Sequence, residues 1–217
     1  MSNCCATPRT TEGTNKFFSR WSKQYEKQFR KKGLAKEQKL LLDSIRKESI
    51  TNQHVLDIGC GVGALHLTLL QEGAKGSIGV DLAEGMLEKA RNFAADMGVA
   101  ERTQYINGDF VEVSSTVPPA DITMLDKVVC CYENLDQLLL ESTAHTKRVY
   151  ALTHPKNNLA IKLAFKTHIL FTKLVRMKFR PYWHDWVGMR TRIAEMGFQL
   201  VHEEATFSWQ VLVFKKA

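Results

Sequence analysis

Two hydrophobic periods share the chain, and the switch between them sets the expected architecture. Helical spacing runs over Phe17–Arg30 and Lys36–Lys47, with Gly33 as the break between them. From residue 54 short apolar runs take over. His54–Ile58, Ser77–Val80, Gln104–Ile106, Asp121–Leu125 and Val149–Leu152 predict strands. Between them lie helical patterns over Leu65–Glu72, Ala83–Met97 (stopped by Gly98) and Leu135–His145. Strands alternating with helices at this spacing predict βαβ units and a parallel sheet with buried strands. The ending differs. Asp185–Met196 reads as a helix closed by Gly197, and the β-rich runs Phe198–Glu203 and Phe207–Phe214 are close enough to pair as an antiparallel hairpin. The expectation is an α/β fold with a seven-stranded, mostly parallel sheet.

Composition narrows the class. The 217 residues are 44% hydrophobic and 24% charged, near the soluble globular average, which suits one domain with a real core. No apolar run approaches the ~20 residues of a spanning helix. The start, MSNCCATPRTTEGTNK, has no apolar secretory segment. Five cysteines without an export signal argue against a disulfide framework and for a reducing cytoplasm. The net charge of +7 is unevenly spread: residues 1–50 hold 12 Lys/Arg and 5 Asp/Glu, residues 51–150 hold 7 and 14, and residues 151–217 hold 11 and 4. Basic flanks around an acidic middle suit an anionic partner. Nucleic acid, a membrane surface or an acidic small molecule all fit, and charge alone does not choose.

The sharpest local signal is VLDIGCGVGAL, which sets Gly59, Gly61 and Gly63 after a strand and before a helix. Glycines there allow a tight turn and a close approach of backbone to ligand, with the helix N-terminus facing it. As G-x-G-x-x-A the loop also fits a dinucleotide fingerprint. Three acids separate the two readings. Asp57 lies two residues before the first glycine, within reach of a cationic ligand. Asp81 ends the second strand, placed for two ribose hydroxyls. Asp109, between Gly108 and Phe110, ends the third strand, placed for an exocyclic amine. Three carboxylates would repel a pyrophosphate but suit a nucleoside carrying an amino acid and a positive sulfur.

With these features the chain resembles the class I S-adenosylmethionine-dependent methyltransferases over about residues 50–215. The resemblance implies a three-layer Rossmann-like sandwich, S-adenosyl-L-methionine as cofactor, and Asp57, Gly59, Gly61, Gly63, Asp81, Leu82, Asp109, Phe110 and Asp126 as its contacts. It divides the chain into a tail and helical lid (1–50) and a catalytic domain (51–217) with a helical insert at about 156–181. Residues 1–13 read as a loose tail. Phe17, Phe18, Trp21, Tyr25 and Phe29 make a stripe that packs as a lid or a core face. Three segments are similar to the magnesium-protoporphyrin IX O-methyltransferase group: FFSRWSKQY (17–25), LDKVVCCY (125–132) and RPYWH (180–184). That likeness implies a tetrapyrrole carboxylate as acceptor.

Carboxylate O-methylation asks mainly for positioning and desolvation, since the acceptor is already ionised. Tyr25, Tyr132 and Arg180 are candidates for orienting it, and His184 is the candidate base for a hydroxyl or amine acceptor. The segment Asn157–Arg180 holds Lys162, Lys166, Lys173, Arg176, Lys178 and Arg180 and no acid. On a helix, Lys162, Lys166, Lys173 and Arg180 share a stripe, with Ala164, Phe171 and Val175 opposite. Such a helix holds acidic groups of an apolar substrate, rests on an anionic membrane, or packs as a lid with solvated lysines. The vicinal pairs Cys4-Cys5 and Cys130-Cys131 open an alternative, thiol or metalloid methylation, though adjacent cysteines lack structural-zinc spacing and no metal site is assigned. The alternative of another class, a nucleic-acid-binding protein or RNA methyltransferase, lacks an Asn-Pro-Pro-Tyr-type motif after the fourth strand. Monomer and homodimer both remain open.

Overall fold

The computed structural model describes residues 8–174, 179 and 181–217. Two helices, α1 (Pro8–Lys32) and α2 (Lys36–Arg46), precede the sheet. Residues 8–13, expected as loose tail, form the first turns of α1. Pro8 occupies the first helical position, where its missing N–H is no loss. Arg30, Lys31 and Lys32 in the last turn complement the helix dipole.

The alternating region then forms β1 (His54–Ile58), α3 (Ala64–Gln71), β2 (Gly76–Asp81), α4 (Glu84–Asp96), β3 (Thr103–Asn107), the short α5 (Phe110–Val113), β4 (Ala120–Leu125), α6 (Leu135–Ala144) and β5 (Thr146–Pro155). It continues with α7 (Leu159–Leu174), α8 (Trp186–Glu195), β6 (Phe198–Ala205) and β7 (Trp209–Lys216). All seven strands join one sheet in the order β3-β2-β1-β4-β5-β7-β6. Strand β7 runs antiparallel to both β5 and β6, and the other pairs are parallel. This is the α/β sandwich expected from the pattern.

Two differences have local causes. Strand β5 extends well past the apolar run Val149–Leu152, because Thr146 and Thr153 are buried with their hydroxyls hydrogen-bonded. Thr146 Oγ1 donates to Ser142 O at 2.7 Å, and Thr153 Oγ1 donates to Asp126 Oδ1 at 2.6 Å. Phe207, expected in the last strand, sits instead in the turn between β6 and β7.

Alternation along the strands divides the core into two layers. Val55, Val149, Ala151, Val211 and Val213 face a cluster with Leu41, Leu42, Ile45 and Leu67 from α2 and α3. Leu56, Ile58, Tyr150, Leu152, Leu212 and Phe214 face the other way, onto Leu138 of α6 and Trp186 and Ile193 of α8. The strand order reverses at β1, which pairs with β2 on one side and β4 on the other. In open α/β sheets ligands bind outside the strand C-termini at that switch point.

Candidate active site

The loop after β1 turns through three left-handed glycines. Gly59 has φ +67° and cannot carry a side chain, since a Cβ there would lie 2.4 Å from Val128 Cγ2. Gly61 has φ +54°, and nothing lies within 4 Å of where its Cβ would stand. Its backbone therefore faces open space. Gly59 N and Cys60 N both donate to Val80 O, at 2.8 and 3.1 Å, tying the loop to the end of β2.

Asp81 locks this corner. Gly61 N donates to its Oδ2 and Ala83 N to its Oδ1, each at 2.8 Å. Burial pushes its carboxyl up to about 6, against the pull of those two N–H groups. A buried carboxylate with so few donors gains from further hydroxyl donors. Asp57, also buried, pairs through Oδ2 with His66 Nδ1 at 2.8 Å, and His66 Nε2 lies 3.2 Å from the Tyr105 hydroxyl. Its carboxylate is thus anchored from below the loop.

Asp109 caps α5, accepting from Val111 N at 3.0 Å through Oδ1. The same oxygen accepts from the Tyr132 hydroxyl at 2.7 Å. Tyr132, expected to orient an acceptor, is therefore committed to the carboxylate at the end of β3. Just past the end of β4, Asp126 is half-buried, and loss of solvation raises its pKa despite Lys127 beside it. Its Oδ2 accepts from Gln38 Nε2 at 2.8 Å, and Gln38 Oε1 accepts from Ala35 N at 3.0 Å. One side chain thereby closes the first turn of α2 and fastens that helix to the site. Lys127, in a left-handed conformation with φ +60°, is ion-paired with Glu37 and lies 5.2 Å from the centre of the Trp209 ring.

These groups line one cleft of about 500 Å³, within the range of small-molecule sites. One half carries Asp57, the glycine loop, Asp81, Leu82, Asp109, Phe110 and Asp126. The other half is apolar and aromatic, with Phe17 and Phe18 of α1, Phe165 of α7, Phe179, Tyr182 and Trp209. Phe17 stacks on Phe179 at 4.9 Å, which closes α1 over this half.

The expected residues divide. Tyr25 lines the cleft. His184 does not: its Nε2 lies 2.9 Å from Tyr132 O, its ring meets Trp186 edge-on at 5.6 Å, and burial lowers its pKa. It meets the carbonyl of Tyr132 in the segment before α8 and is not among the side chains that line the cleft. Arg180, Cys4 and Cys5 lie outside the described residues. Cys130 and Cys131 both border the cleft, with Sγ atoms 4.0 Å apart. The contact with Cys131 and burial push the Cys130 thiol well up, so it is held protonated. Ala164 and Phe171 face solvent, while Phe165 and His168 point into the cleft. Sequence reasoning missed Gln38 and His168. Gln38 carried one overlooked sign, its place as the third residue of a helix.

A family model described as a methyltransferase domain matches residues 55–156. The magnesium protoporphyrin IX methyltransferase of Synechocystis PCC 6803, crystallised with bound S-adenosylmethionine, is similar in structure: TM-score 0.73 at 16% identity, covering 100% of both chains. Among curated sequences, the ribosomal protein L11 methyltransferase of Haemophilus ducreyi is 42% identical over 55 residues, 25% of this chain and 19% of that protein. The protein arginine N-methyltransferase 1 of Saccharomyces cerevisiae is 28% identical over 101 residues, 46% of this chain and 29% of that protein. The chain thus spans less than a third of the length of these two relatives. Residues 55–156 thus match a methyltransferase domain, and the chain as a whole shares the fold of the Synechocystis magnesium protoporphyrin IX methyltransferase.

Proposed function

We propose that the protein transfers the methyl group of S-adenosylmethionine to a small, partly apolar acceptor bearing a carboxylate, with tetrapyrrole carboxylate O-methylation as the specific reaction. The observation that carries this reading is a single cleft lined both by carboxylates around an open glycine cradle and by a set of aromatic side chains. The donor set suits the cofactor. Asp81 keeps lone pairs for ribose hydroxyls, Gly61 leaves an open cradle, and Asp57 and Asp126 supply negative charge on the walls. Bound there, the sulfonium supplies an electrophilic methyl carbon.

The protein's own share is placement and exclusion of water. The rings of Phe17, Phe18, Phe165 and Phe179 offer an apolar bed, and an ionised carboxylate held in it loses hydration that would otherwise slow attack. No strong base is required, and His184 is not among the side chains that line the cleft. His168 is the imidazole that lines it. Contact with Cys131 and burial raise the Cys130 pKa, which disfavours that one thiol as a nucleophile. The basic flanks support an anionic partner, and the cysteine content supports a reducing cytoplasm.

Labelled S-adenosylmethionine incubated with protoporphyrin carboxylates and other apolar carboxylic acids tests the reading. The expected product is an ester whose label is released as methanol by alkali, with the pre-esterified acceptor inert. An alkali-stable methyl group, or transfer abolished by Cys130→Ser and Cys131→Ser alike with cofactor binding kept, would contradict it.

A further inference from the structure

Helix α7 is two-sided in an unusual way. Its inner face, with Phe165 and His168, lines the cleft. At ~100° per residue, Leu159, Leu163, Leu170 and Leu174 fall within a narrow outer stripe, with Phe171 beside it. These five side chains are 56–82% exposed. Lys162 and Lys166 run along the opposite border of the stripe, both exposed. Next to the start of the helix is the β6–β7 turn, where Lys156 N donates to Ser208 O at 2.8 Å. Its tip carries Phe207, 82% exposed.

We infer that this outer face of α7, with Phe207, docks on an anionic lipid surface and sets the cleft mouth against it. Large contiguous apolar side chains on a surface mark an interaction site, and three observations select lipid as the occupant. In sequence, residues 142–184 contain nine Lys/Arg and no Asp or Glu, and Lys162 and Lys166 border the helix stripe, with Glu204 near Phe207 as the neighbouring acid. A second copy packed on the same face would bring two lysine rows together with no acid on that segment to pair them. Among the described residues, no helix is long and apolar enough to cross a membrane. With sixteen residues, α7 matches an element lying in the interface, leucines inward and lysines at the headgroups. Because the two faces belong to one helix, an apolar acceptor dissolved in lipid reaches Phe165 and His168 without crossing bulk water. The docking itself goes beyond the methyltransferase reading and stands or falls separately from it.

The test is co-sedimentation of the full chain with vesicles of phosphatidylcholine alone and of equal parts phosphatidylcholine and phosphatidylglycerol, at low and high salt. Binding is expected on the mixed vesicles only, weakening as salt rises. Leu163→Ser and Leu170→Ser should each reduce it roughly tenfold, and Lys162→Glu with Lys166→Glu should reduce it as well. S-adenosylhomocysteine binding by calorimetry should be unchanged in all three variants, which shows them folded and keeps the outcome separate from the proposed activity. Three results would overturn the inference. One is wild-type protein left in the supernatant of the mixed vesicles. Another is vesicle binding indifferent to the leucine variants, which would assign it to the basic flanks. The third is concentration-dependent dimers lost in Leu163→Ser without lipid binding, which would assign the face to a second copy.

Discussion

Asp81 carries more of the cleft's chemistry than any other single side chain, because it both orders the glycine loop and faces the ligand space. Burial sets its carboxyl at about 6, so two pH dependences of opposite sign follow. In the ligand-free protein the raised value means that the folded state holds the proton more tightly than the unfolded one. This residue's contribution to stability therefore falls as pH rises through about 6. Hydroxyl donors prefer the ionised form, so affinity for S-adenosylhomocysteine should weaken as pH drops through the same value. Calorimetry across that window should show the weakening in the wild type and a flat profile in Asp81→Asn; equal slopes would remove Asp81 from the ligand contacts. Asp57, Asp81 and Asp109 were legible in the sequence because each sits at or just past a strand end, and strand ends are read from the hydrophobic period. Tyr132 was legible as a cleft residue but not in its partner. Its bond to Asp109 joins residues 23 positions apart, and no local pattern records that. The partner of His184 was hidden for the same reason, since a histidine in a loop shows nothing of the carbonyl it meets.

At the scale of elements, the loop between β1 and α3 is where backbone geometry and function meet. Gly59→Ala imposes a left-handed backbone on a side chain and drives a Cβ into Val128. Strain of about 1–2 kcal/mol and overpacking of about 1–3 kcal/mol should together destabilise the protein in chemical denaturation. Gly98→Ala is the control: its φ of +68° is the same, but nothing lies within 4 Å. It should cost only the backbone share. Equal losses would mean that Val128 yields and the loop is not held as tightly as described. The strands and most helices were readable from periodicity because their apolar faces are uniform. The extension of β5 was not, since Thr146, Thr153 and His154 are buried through hydrogen bonds and break the apolar run. The first turns of α1 were hidden by a polar stretch with no apolar face; α7 was expected as a helix, but which side lines the cleft was not legible, because apolar residues lie on two of its faces.

Over the whole molecule, α1, α2 and α7 are what turn a generic parallel sheet into a walled cleft. Phe17 and Phe18 cover it from α1, Gln38 ties α2 to Asp126, and Phe165 and His168 close it from α7. The sheet-borne half of the site follows from the βαβ pattern, while these walls come from contacts between distant segments, which is why the acceptor half was the less legible. The claim on which the rest depends is that the carboxylate-lined half holds S-adenosylmethionine. Its most direct test is calorimetric titration of the purified full chain with S-adenosylmethionine and S-adenosylhomocysteine, repeated with Asp81→Ala. Micromolar binding of both, lost in the variant while its fold is kept, is the predicted result. Failure of the wild type to bind either one, or undiminished binding by the variant, would contradict the account.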